Sequence, residues 1–211
     1  LEGINQVQIH NEIGFDFAKG LRSIVRQDPD VIMVGEIRDN ETARIALQSA
    51  LTGHLVFSTV HTNDAATAYT RLLDLGVQEY LLNAALVSIL AQRLVRRLCS
   101  CAKLKSEEEI TSLNQQYDLA SLAKQYAVED LELKNVCGCE KCGNTGFQGR
   151  VALLEYLPCT NEIKQMPKGE TFFIEAAKYM QENNLRTLKQ DGFLKAIKGQ
   201  TTIEEVLRVA G

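Results

Sequence analysis

Two polar side chains directly follow apolar runs, and both are of types that can act on phosphates. Glu36 comes after Val-Ile-Met-Val-Gly at residues 31–35, and His61 comes after Leu-Val-Phe-Ser-Thr-Val at residues 55–60. A carboxylate held at a strand end can bind Mg²⁺ through water or polarise the water that attacks a phosphate, as in a Walker B strand. A strand-terminating glutamate that only faces solvent would give the same pattern, so the prediction depends on the groups around Glu36.

The nearby polar and basic residues favour a phosphate site. Thr59 lies beside His61, and Arg22 and Arg26 fall on the basic face of a helix predicted over residues 15–27. Phosphoryl transfer is catalysed mainly by positioned positive and hydrogen-bonding groups. We therefore interpret His61 as a catalytic rather than a structural histidine.

Two further polar residues have ordinary structural explanations. His54 precedes its apolar run, and a lone histidine in that place is more often structural than catalytic. Asp39, which follows Arg38, suits the N-cap of the next helix better than it suits chemistry.

A second group of reactive residues consists of cysteines, which are absent from the first 98 positions: Cys99, Cys101, Cys137, Cys139, Cys142 and Cys159. No secretory signal segment is visible, and closely spaced cysteine pairs in a cytosolic chain favour metal binding over disulfides. Four thiolates suit a tetrahedral Zn²⁺ site, which would stabilise the weakly apolar stretch between the pairs. Free thiols left from a lost site are the alternative, and Cys159 is expected only to pack in the interior.

The elements that must position Glu36 and His61 form a predicted βαβ unit. Two apolar strands flank a helix that begins at Asp39 or Asn40 and stops near Gly53. We expect both strands to be buried on both faces of a parallel sheet. A right-handed crossover makes the strands parallel, so that Glu36 and His61 should meet at the edge where α/β proteins bind ligands.

The later sequence is predicted to be mainly helical. One long helix is expected from about residue 79 to residue 98, and Ser106 with Glu109 forms a capping box for the next helix. The last sixty residues predict a small bundle with helices over 171–182, 185–198 and 202–209, the last opened by a capping box of Thr202 and Glu205.

Composition restricts the class of protein. The chain has 211 residues, of which 45% are hydrophobic and 24% charged, and its formal net charge is −4. Such a chain is long enough to bury a core and is unlike disordered proteins. Because no global positive field exists, we expect no nucleic-acid partner. No apolar run reaches the roughly 20 residues that span a bilayer, so we expect a cytoplasmic protein.

Three stretches resemble one known family in detail. They are LRSIVRQDPDVIMVGEIRD at residues 21–39, TGHLVFSTVHTND at 52–64 and LAQRLVRRLC at 90–99. These motifs resemble bacterial type II secretion ATPases (general secretory pathway protein E) and their type IV pilus assembly relatives over nearly the whole chain. The tail TTIEEVLR at 201–208 resembles the secretion branch more closely.

The resemblance implies a RecA-like ATPase core, a homo-hexameric ring on the cytoplasmic face of the inner membrane, and ATP hydrolysis that drives pseudopilus or pilus extension. It also implies partners among the inner-membrane secretion platform proteins. Glu36 matches the family's Walker B glutamate, and His61 resembles the residue that faces the γ-phosphate. In the remaining matches Arg22 and Arg26 form the arginine pair, and the residues lining the nucleotide would be Gly35, Glu36, His54 and Thr59.

The sequence departs from the family pattern in two places. No G-x-x-x-x-G-K-[ST] sequence occurs, and this motif supplies most of the grip on the β- and γ-phosphates. The chain begins at Leu1, within what the resemblance implies is a longer protein, so we expect this piece alone to be inactive and the intact protein to use Mg²⁺ and ATP. The family's first cysteine pair is spaced by two residues, whereas one residue separates Cys99 from Cys101.

The zinc ligands expected from this comparison are Cys99, Cys101, Cys139 and Cys142, with Cys137 as an alternative fourth ligand. The expected fold class is α/β: a partial RecA-like parallel sheet with flanking helices over residues 1–98, a tetracysteine metal-binding insert over 99–146 and a C-terminal helical subdomain over 147–211. A mechanochemical ATPase is the first functional hypothesis. A non-enzymatic, zinc-stabilised scaffold module is the second, and a metallohydrolase is a distant third because clustered His and carboxylate ligands are lacking.

Overall fold

A computed structural model describes residues 2–211, so the expectation attached to Leu1 lies outside the described residues. In chain order the helices and strands are α1 (Phe17–Val25), β1 (Val31–Val34), α2 (Asn40–Leu51), β2 (Leu55–Ser58), α3 (Ala65–Asp74), α4 (Glu79–Ala85), β3 (Ser88–Leu98), β4 (Lys103–Leu104), α5 (Glu107–Tyr117), α6 (Leu119–Gln125), β5 (Lys134–Asn135), β6 (Phe147–Pro158), α7 (Asn161–Gln165), α8 (Phe172–Glu182), α9 (Leu188–Ile197) and α10 (Ile203–Ala210). Short 3₁₀ helices cover Asn11–Ile13 and Glu140–Cys142. The chain is therefore an α/β protein with helices and small sheets.

Contacts between residues divide the chain into two compact units. One consists of residues up to 89 together with 158–176, and the other of residues 90–157 together with 177–211. The three-part division at residues 98 and 146 stays a prediction. Within residues 2–211, no helix has both the length and the apolar character that crossing a bilayer requires.

The predicted βαβ arrangement is present in the first unit. Strands β1 and β2 are parallel neighbours, with Val31 opposite Leu55 and Val34 opposite Ser58. Helix α2 begins at the N-cap Asp39, whose side chain accepts from the Thr42 amide at 2.8 Å. The helix is followed by Gly53, whose φ of +107° turns the chain towards β2 at little steric cost.

Only one face of this sheet is buried among the described residues. Ile32 and Val34 are buried, whereas the intervening Val31 and Met33 are more than half exposed, as are Leu55 and Phe57 opposite them. The expectation of burial on both faces is therefore wrong here, because α1 contacts β1 and α2 contacts β2 while a two-stranded sheet offers no further cover.

The prediction of one long helix over residues 79–98 is also wrong. Helix α4 ends at Ala85, the backbone of Leu86 is already extended, and the chain continues as β3. Strand β3 pairs with β6, more than fifty residues later. The amide of Cys99 donates to the carbonyl of Gly146 at 2.9 Å, beyond the end of β3. A partner so distant in sequence overrides the helical spacing of the apolar residues.

The expectation of an all-helical C-terminal region needs the same correction. Residues 147–158 form strand β6, and the helices that follow, α8, α9 and α10, lie close to the predicted ranges. The Ser106–Glu109 capping box is confirmed. The Thr202–Glu205 box is half formed: the Thr202 hydroxyl accepts from the Glu205 amide at 3.2 Å, but the Glu205 carboxylate binds Arg96 and Arg208.

The second unit has its own apolar core, to which β3, β6 and the helices α6, α9 and α10 all contribute. Its fully buried members include Val95, Leu119, Leu153, Ala196, Ile197 and Val206. Gly192 of α9 packs against Val206 of α10, and a Cβ at this position would overlap the Val206 side chain. A glycine here therefore lets the two helices approach closely.

Candidate functional site

Glu36 and His61 meet at the carboxyl edge of the β1–β2 sheet. Two residues beyond β1, the Oε1 atom of Glu36 lies 3.0 Å from Nε2 of His61, which follows β2 by three residues. The parallel pairing of the strands brings the two side chains to the same rim, as the strand order predicts. The side chain of Glu36 is 15% exposed and that of His61 is 84% exposed.

Hydrogen bonds extend the pairing of the two strands as far as this rim. The amide of Ile37 donates to the carbonyl of Thr59 at 3.0 Å, and the Thr59 hydroxyl donates to the carbonyl of Gly35 at 2.6 Å. Gly35 and Thr59 thus hold the backbone on either side of the Glu36–His61 pair. The Thr59 hydroxyl is engaged with backbone in this structure, while the imidazole is open to solvent.

Arg38 is the third member of the site, and the sequence reasoning missed it. Its Nε and Nη2 atoms both lie 2.6 Å from Oε2 of Glu36. The Arg38 guanidinium, by this hydrogen bond and by its charge, lowers the pKa of the Glu36 carboxyl despite the opposing effect of burial. The available signal was spacing, because residues i and i+2 of an extended segment lie on the same face.

The two arginines of the predicted pair lie elsewhere on the first unit. Arg22 of α1 forms an ion pair with Glu41 of α2, and Arg26 is the exposed C-cap of α1. Neither forms an ion pair with Glu36 among the contacts described for residues 2–211.

His54 is not part of the Glu36–His61 group. It precedes β2, and its Nδ1 lies 2.9 Å from the carbonyl oxygen of Ser49 and 3.2 Å from the Thr52 hydroxyl. It therefore ties down the end of α2. The six residues that separate it from His61 cover about 20 Å of extended chain at roughly 3.3 Å per residue.

Four of the six cysteines form a compact cluster in the second unit. The sulfur atoms of Cys99, Cys101, Cys139 and Cys142 all lie within 4.8 Å of one another. Cys99 and Cys101 follow β3. Cys139 is the N-cap of the 3₁₀ turn at Glu140–Cys142, and Cys142 is its last residue.

Cys137 and Cys159 lie outside the cluster. Cys137 meets it through its backbone, because its carbonyl oxygen accepts from the Cys101 thiol at 3.0 Å. Cys159 is buried in the first unit, where burial raises the pKa of its thiol to about 11. A raised thiol pKa makes Cys159 an inert packing residue.

Backbone N–H groups stabilise the thiolate form of Cys142 in this cluster. Burial alone would raise the pKa of the Cys142 thiol, but the amides of Cys139 and Gly146, both 3.3 Å from its Sγ, outweigh burial and lower that pKa to about 6. Burial raises the pKa of Cys101 to about 12. A cation would compensate for the charge of such buried sulfur.

The spacing of the sulfur atoms fits a tetrahedral ion. Four sulfurs bound at about 2.3 Å to one Zn²⁺ lie about 3.8 Å from one another. In the cluster the Sγ atoms of Cys99 and Cys139 are 3.8 Å apart, and those of Cys139 and Cys142 are 3.7 Å apart. The residues present therefore fit a structural zinc site with four thiolate ligands.

Comparisons with known proteins agree on one group. A family model described as "Type II/IV secretion system protein" matches residues 1–208. The chain is 46% identical over 209 residues to the type II secretion system protein E of Xanthomonas campestris pv. campestris, which covers 99% of this chain and 36% of that protein. It is 44% identical over 207 residues to the type IV pilus assembly ATPase PilB of Thermus thermophilus, covering 98% and 23%.

A solved structure agrees with these sequence matches. The crystal structure of the pilus retraction motor PilT with bound ADP aligns with a TM-score of 0.60 and 28% identity, over 92% of this chain and 43% of that one. The chain spans between a quarter and two fifths of the length of the curated relatives it matches, with shares from 23% to 41%.

Proposed function

This chain belongs to the Type II/IV secretion system protein family, and on that premise we propose that it is the C-terminal part of a secretion ATPase that drives pseudopilus assembly in type II secretion. The proposal includes a partial RecA-like core around β1 and β2, with Glu36 as its Walker B glutamate. The identity of 46% to a type II secretion system protein E supports it.

The observation that carries the proposal is the meeting of Glu36 and His61 at one rim of the parallel sheet, with Oε1 and Nε2 3.0 Å apart. A ligand at the carboxyl edge of such a sheet faces both groups. Glu36 is largely shielded and accepts a hydrogen bond from Arg38, whereas the exposed His61 presents a polar ring to solvent, where a triphosphate would arrive. One residue is thus suited to orient water and the other to contact phosphate.

We infer the following division of labour in the intact enzyme. Bound Mg²⁺ would neutralise charge on the β- and γ-phosphates, and the Glu36 carboxylate is the kind of oxygen donor that it prefers, directly or through water. Glu36 orients the attacking water by accepting its hydrogen bond. His61 donates to the γ-phosphate and stabilises the charge that develops there. Gly35 and Thr59 keep the rim rigid through the hydrogen bond between them.

The other predicted site residues receive different roles. Arg22 lies on α1 and Arg26 is its C-cap, and we propose that they approach the nucleotide only after Arg22 releases Glu41, in their own subunit or across a ring interface. His54 supports the strand from its far end. No G-x-x-x-x-G-K-[ST] sequence occurs in the chain, so the 211 residues alone should neither bind ATP tightly nor hydrolyse it.

We also propose a structural Zn²⁺ ion bound by Cys99, Cys101, Cys139 and Cys142. The sulfur spacing of 3.7–3.8 Å supports it. The assembly proposed for the intact protein is a homo-hexamer at the cytoplasmic face of the bacterial inner membrane, in contact with the secretion platform. The family membership of the chain supports this assembly.

Two alternatives have specific support. The 44% identity to a pilus assembly ATPase favours pilus extension as the work performed. The absence of a phosphate-binding loop from the sequence, together with the cysteine cluster, favours a zinc-stabilised scaffold module if these residues act as a separate polypeptide.

The deciding experiment is the substitution Glu36→Gln in the longer protein that carries these residues with a phosphate-binding loop. The amide keeps the size of the side chain but cannot act as an anionic acceptor, so ATP turnover should fall by roughly 10²-fold or more while nucleotide affinity is retained. Steady-state turnover and calorimetric binding of a nucleotide analogue measure the two quantities. Unchanged turnover would reject the proposal, and sub-millimolar ATP binding by the 211-residue chain would reject the role given to the missing loop.

A further inference from the structure

The Glu36 carboxylate has four acceptor positions, two on each oxygen, and their occupancy can be counted. Arg38 donates a hydrogen bond from Nε to Oε2 at 2.6 Å, and its Nη2 atom forms an ion-pair contact with the same oxygen at the same distance. His61 places Nε2 3.0 Å from Oε1. Among the described residues, one acceptor position of Oε2 therefore holds a hydrogen bond and Nη2 lies against the same oxygen, whereas Oε1 faces the imidazole.

We propose that Arg38 is a positioning residue for the hydrolysis reaction, which covers Oε2 of Glu36 so that the carboxylate accepts the attacking water through Oε1. The proposal rests on the proposed function, because it assigns a task to Arg38 only if Glu36 orients water. The hydrogen bond from Nε and the ion-pair contact of Nη2 on one oxygen also restrict the rotation of the carboxylate about its last bond. Because Oε1 lies beside His61, a water bound to it would be next to the group that contacts the phosphate.

A purely structural role fits Arg38 poorly. Its side chain is 71% exposed, and Glu36 is its ion-pair partner among the described residues. Exposed ion pairs contribute little to stability, with typical values of about 0–1 kcal/mol. Both nitrogens lie against one oxygen instead of one against each, which binds less strongly than a bidentate pair but holds the orientation of the carboxylate.

The test is a set of variants in the longer protein, with ATP turnover, the KM for ATP and the thermal unfolding midpoint as measurements. Arg38→Ala should lower kcat by about tenfold or more and leave KM within about twofold, because orientation rather than substrate binding is lost. Arg38→Lys supplies charge without two fixed donors and should recover part of the loss. Arg44→Ala is the matched control, since Arg44 is an exposed arginine of the adjacent α2.

A double substitution separates positioning from an independent contribution. Arg38→Ala added to Glu36→Gln should cause no further loss of turnover, because the group that Arg38 positions is already disabled. Wild-type kcat in Arg38→Ala, an increase confined to KM, a lowered unfolding midpoint or an additive loss in the double variant would each overturn the proposal. If Glu36→Gln alone keeps full turnover, the proposed function fails as well, whereas a failure confined to Arg38 leaves it standing.

Discussion

The thiol of Cys101 donates a hydrogen bond to the backbone carbonyl oxygen of Cys137, with Sγ and O 3.0 Å apart. Cys101 and Cys137, the two alternatives that the sequence offers for the fourth zinc ligand, therefore differ in how they contact the cluster. Cys101 brings its sulfur within 4.8 Å of the other three, whereas Cys137 contacts the cluster through its main chain. A serine at position 137 would keep that carbonyl, and a serine at position 101 would remove a sulfur.

Metal content should distinguish these two cysteines. We expect Cys137→Ser to retain about one zinc per chain and Cys101→Ser to bind much less than one, because closed structural zinc sites need four ligands. Elemental analysis of purified protein measures the ratio, and the wild-type chain treated with a chelator should lose both zinc and thermal stability. Equal zinc content in the two variants would contradict the ligand set, and a wild-type chain without zinc would reject the site.

Gly146 should be as important to the cluster as a cysteine. Its amide donates to Cys142 Sγ at 3.3 Å, its φ is +76°, and a Cβ there would overlap Val136 and lie 2.7 Å from the carbonyl oxygen of Cys137. We expect Gly146→Ala to destabilise the chain by about 1–3 kcal/mol and to weaken zinc binding. Thermal unfolding with and without chelator measures both effects.

Gly143 provides the control for this substitution. It too has a positive φ, +56°, but a Cβ there meets no atom within 4 Å. Because asparagine tolerates the left-handed region, Gly143→Asn should leave zinc content unchanged. Equal damage from the two substitutions would show that the backbone conformation, rather than the close approach at Gly146, is what matters.

The two histidines should differ in their effect on turnover. His61→Ala in the intact enzyme removes the exposed ring beside Glu36, so turnover should fall by roughly 10²-fold. His54→Ala loses a hydrogen bond to Ser49 at the far end of β2 and should lower stability slightly while keeping turnover within about twofold. Steady-state ATPase assays and thermal unfolding test the contrast, and a larger loss of turnover from His54→Ala would reverse the assignment.

The part of the site that depends on elements adjacent in sequence could be predicted from local sequence patterns. Glu36 and His61 could be paired because a short βαβ unit has a fixed hand, and the Asp39 cap could be read from residue type. The switch from α4 to β3 could not be read, because the apolar residues of β3 fit a helix equally well. Its partner β6 lies about fifty residues further along the chain, beyond the reach of local periodicity.

Buried carboxylates were missed for the same reason. In the second unit Asp191 accepts from the Leu154 amide at 2.9 Å, and Glu155 accepts from the Leu188 amide at 3.0 Å. These bonds join residues more than thirty positions apart. An acidic residue in an amphipathic pattern looks like a solvated one until the fold brings a distant amide to it.

Glu205 is the third such carboxylate and has the strongest set of partners. Its side chain is 2% exposed and accepts from Arg208 Nε at 3.0 Å and from Arg96 Nη2 at 2.7 Å. The hydrogen bonds from Arg208 and Arg96, in that order, hold the pKa of the Glu205 carboxyl far below its ordinary value of 4.5, although burial opposes them. Arg96 also stacks on Phe147, 4.1 Å from the ring centroid. One carboxylate thus joins β3 to α10.

The lowered pKa fixes the direction of a pH effect on stability. The pKa of the Glu205 carboxyl is lower in the folded protein than in the unfolded chain, where it is near 4.5. The ionised carboxylate therefore stabilises the fold at pH values above 4.5, and this contribution is lost as pH falls towards the folded-state pKa. Glu205→Gln should therefore cost roughly 2–3 kcal/mol of unfolding free energy at pH 7, since it breaks a buried ion pair whose arginines are half exposed. The difference from wild type should shrink below about pH 4. Denaturant titrations at several pH values measure this difference.

The neighbouring Glu204→Gln, at an exposed position, is the control and should change stability by less than about 0.5 kcal/mol. A Glu205→Gln deficit that stays constant from pH 7 to pH 3 would assign its cost to packing and not to charge.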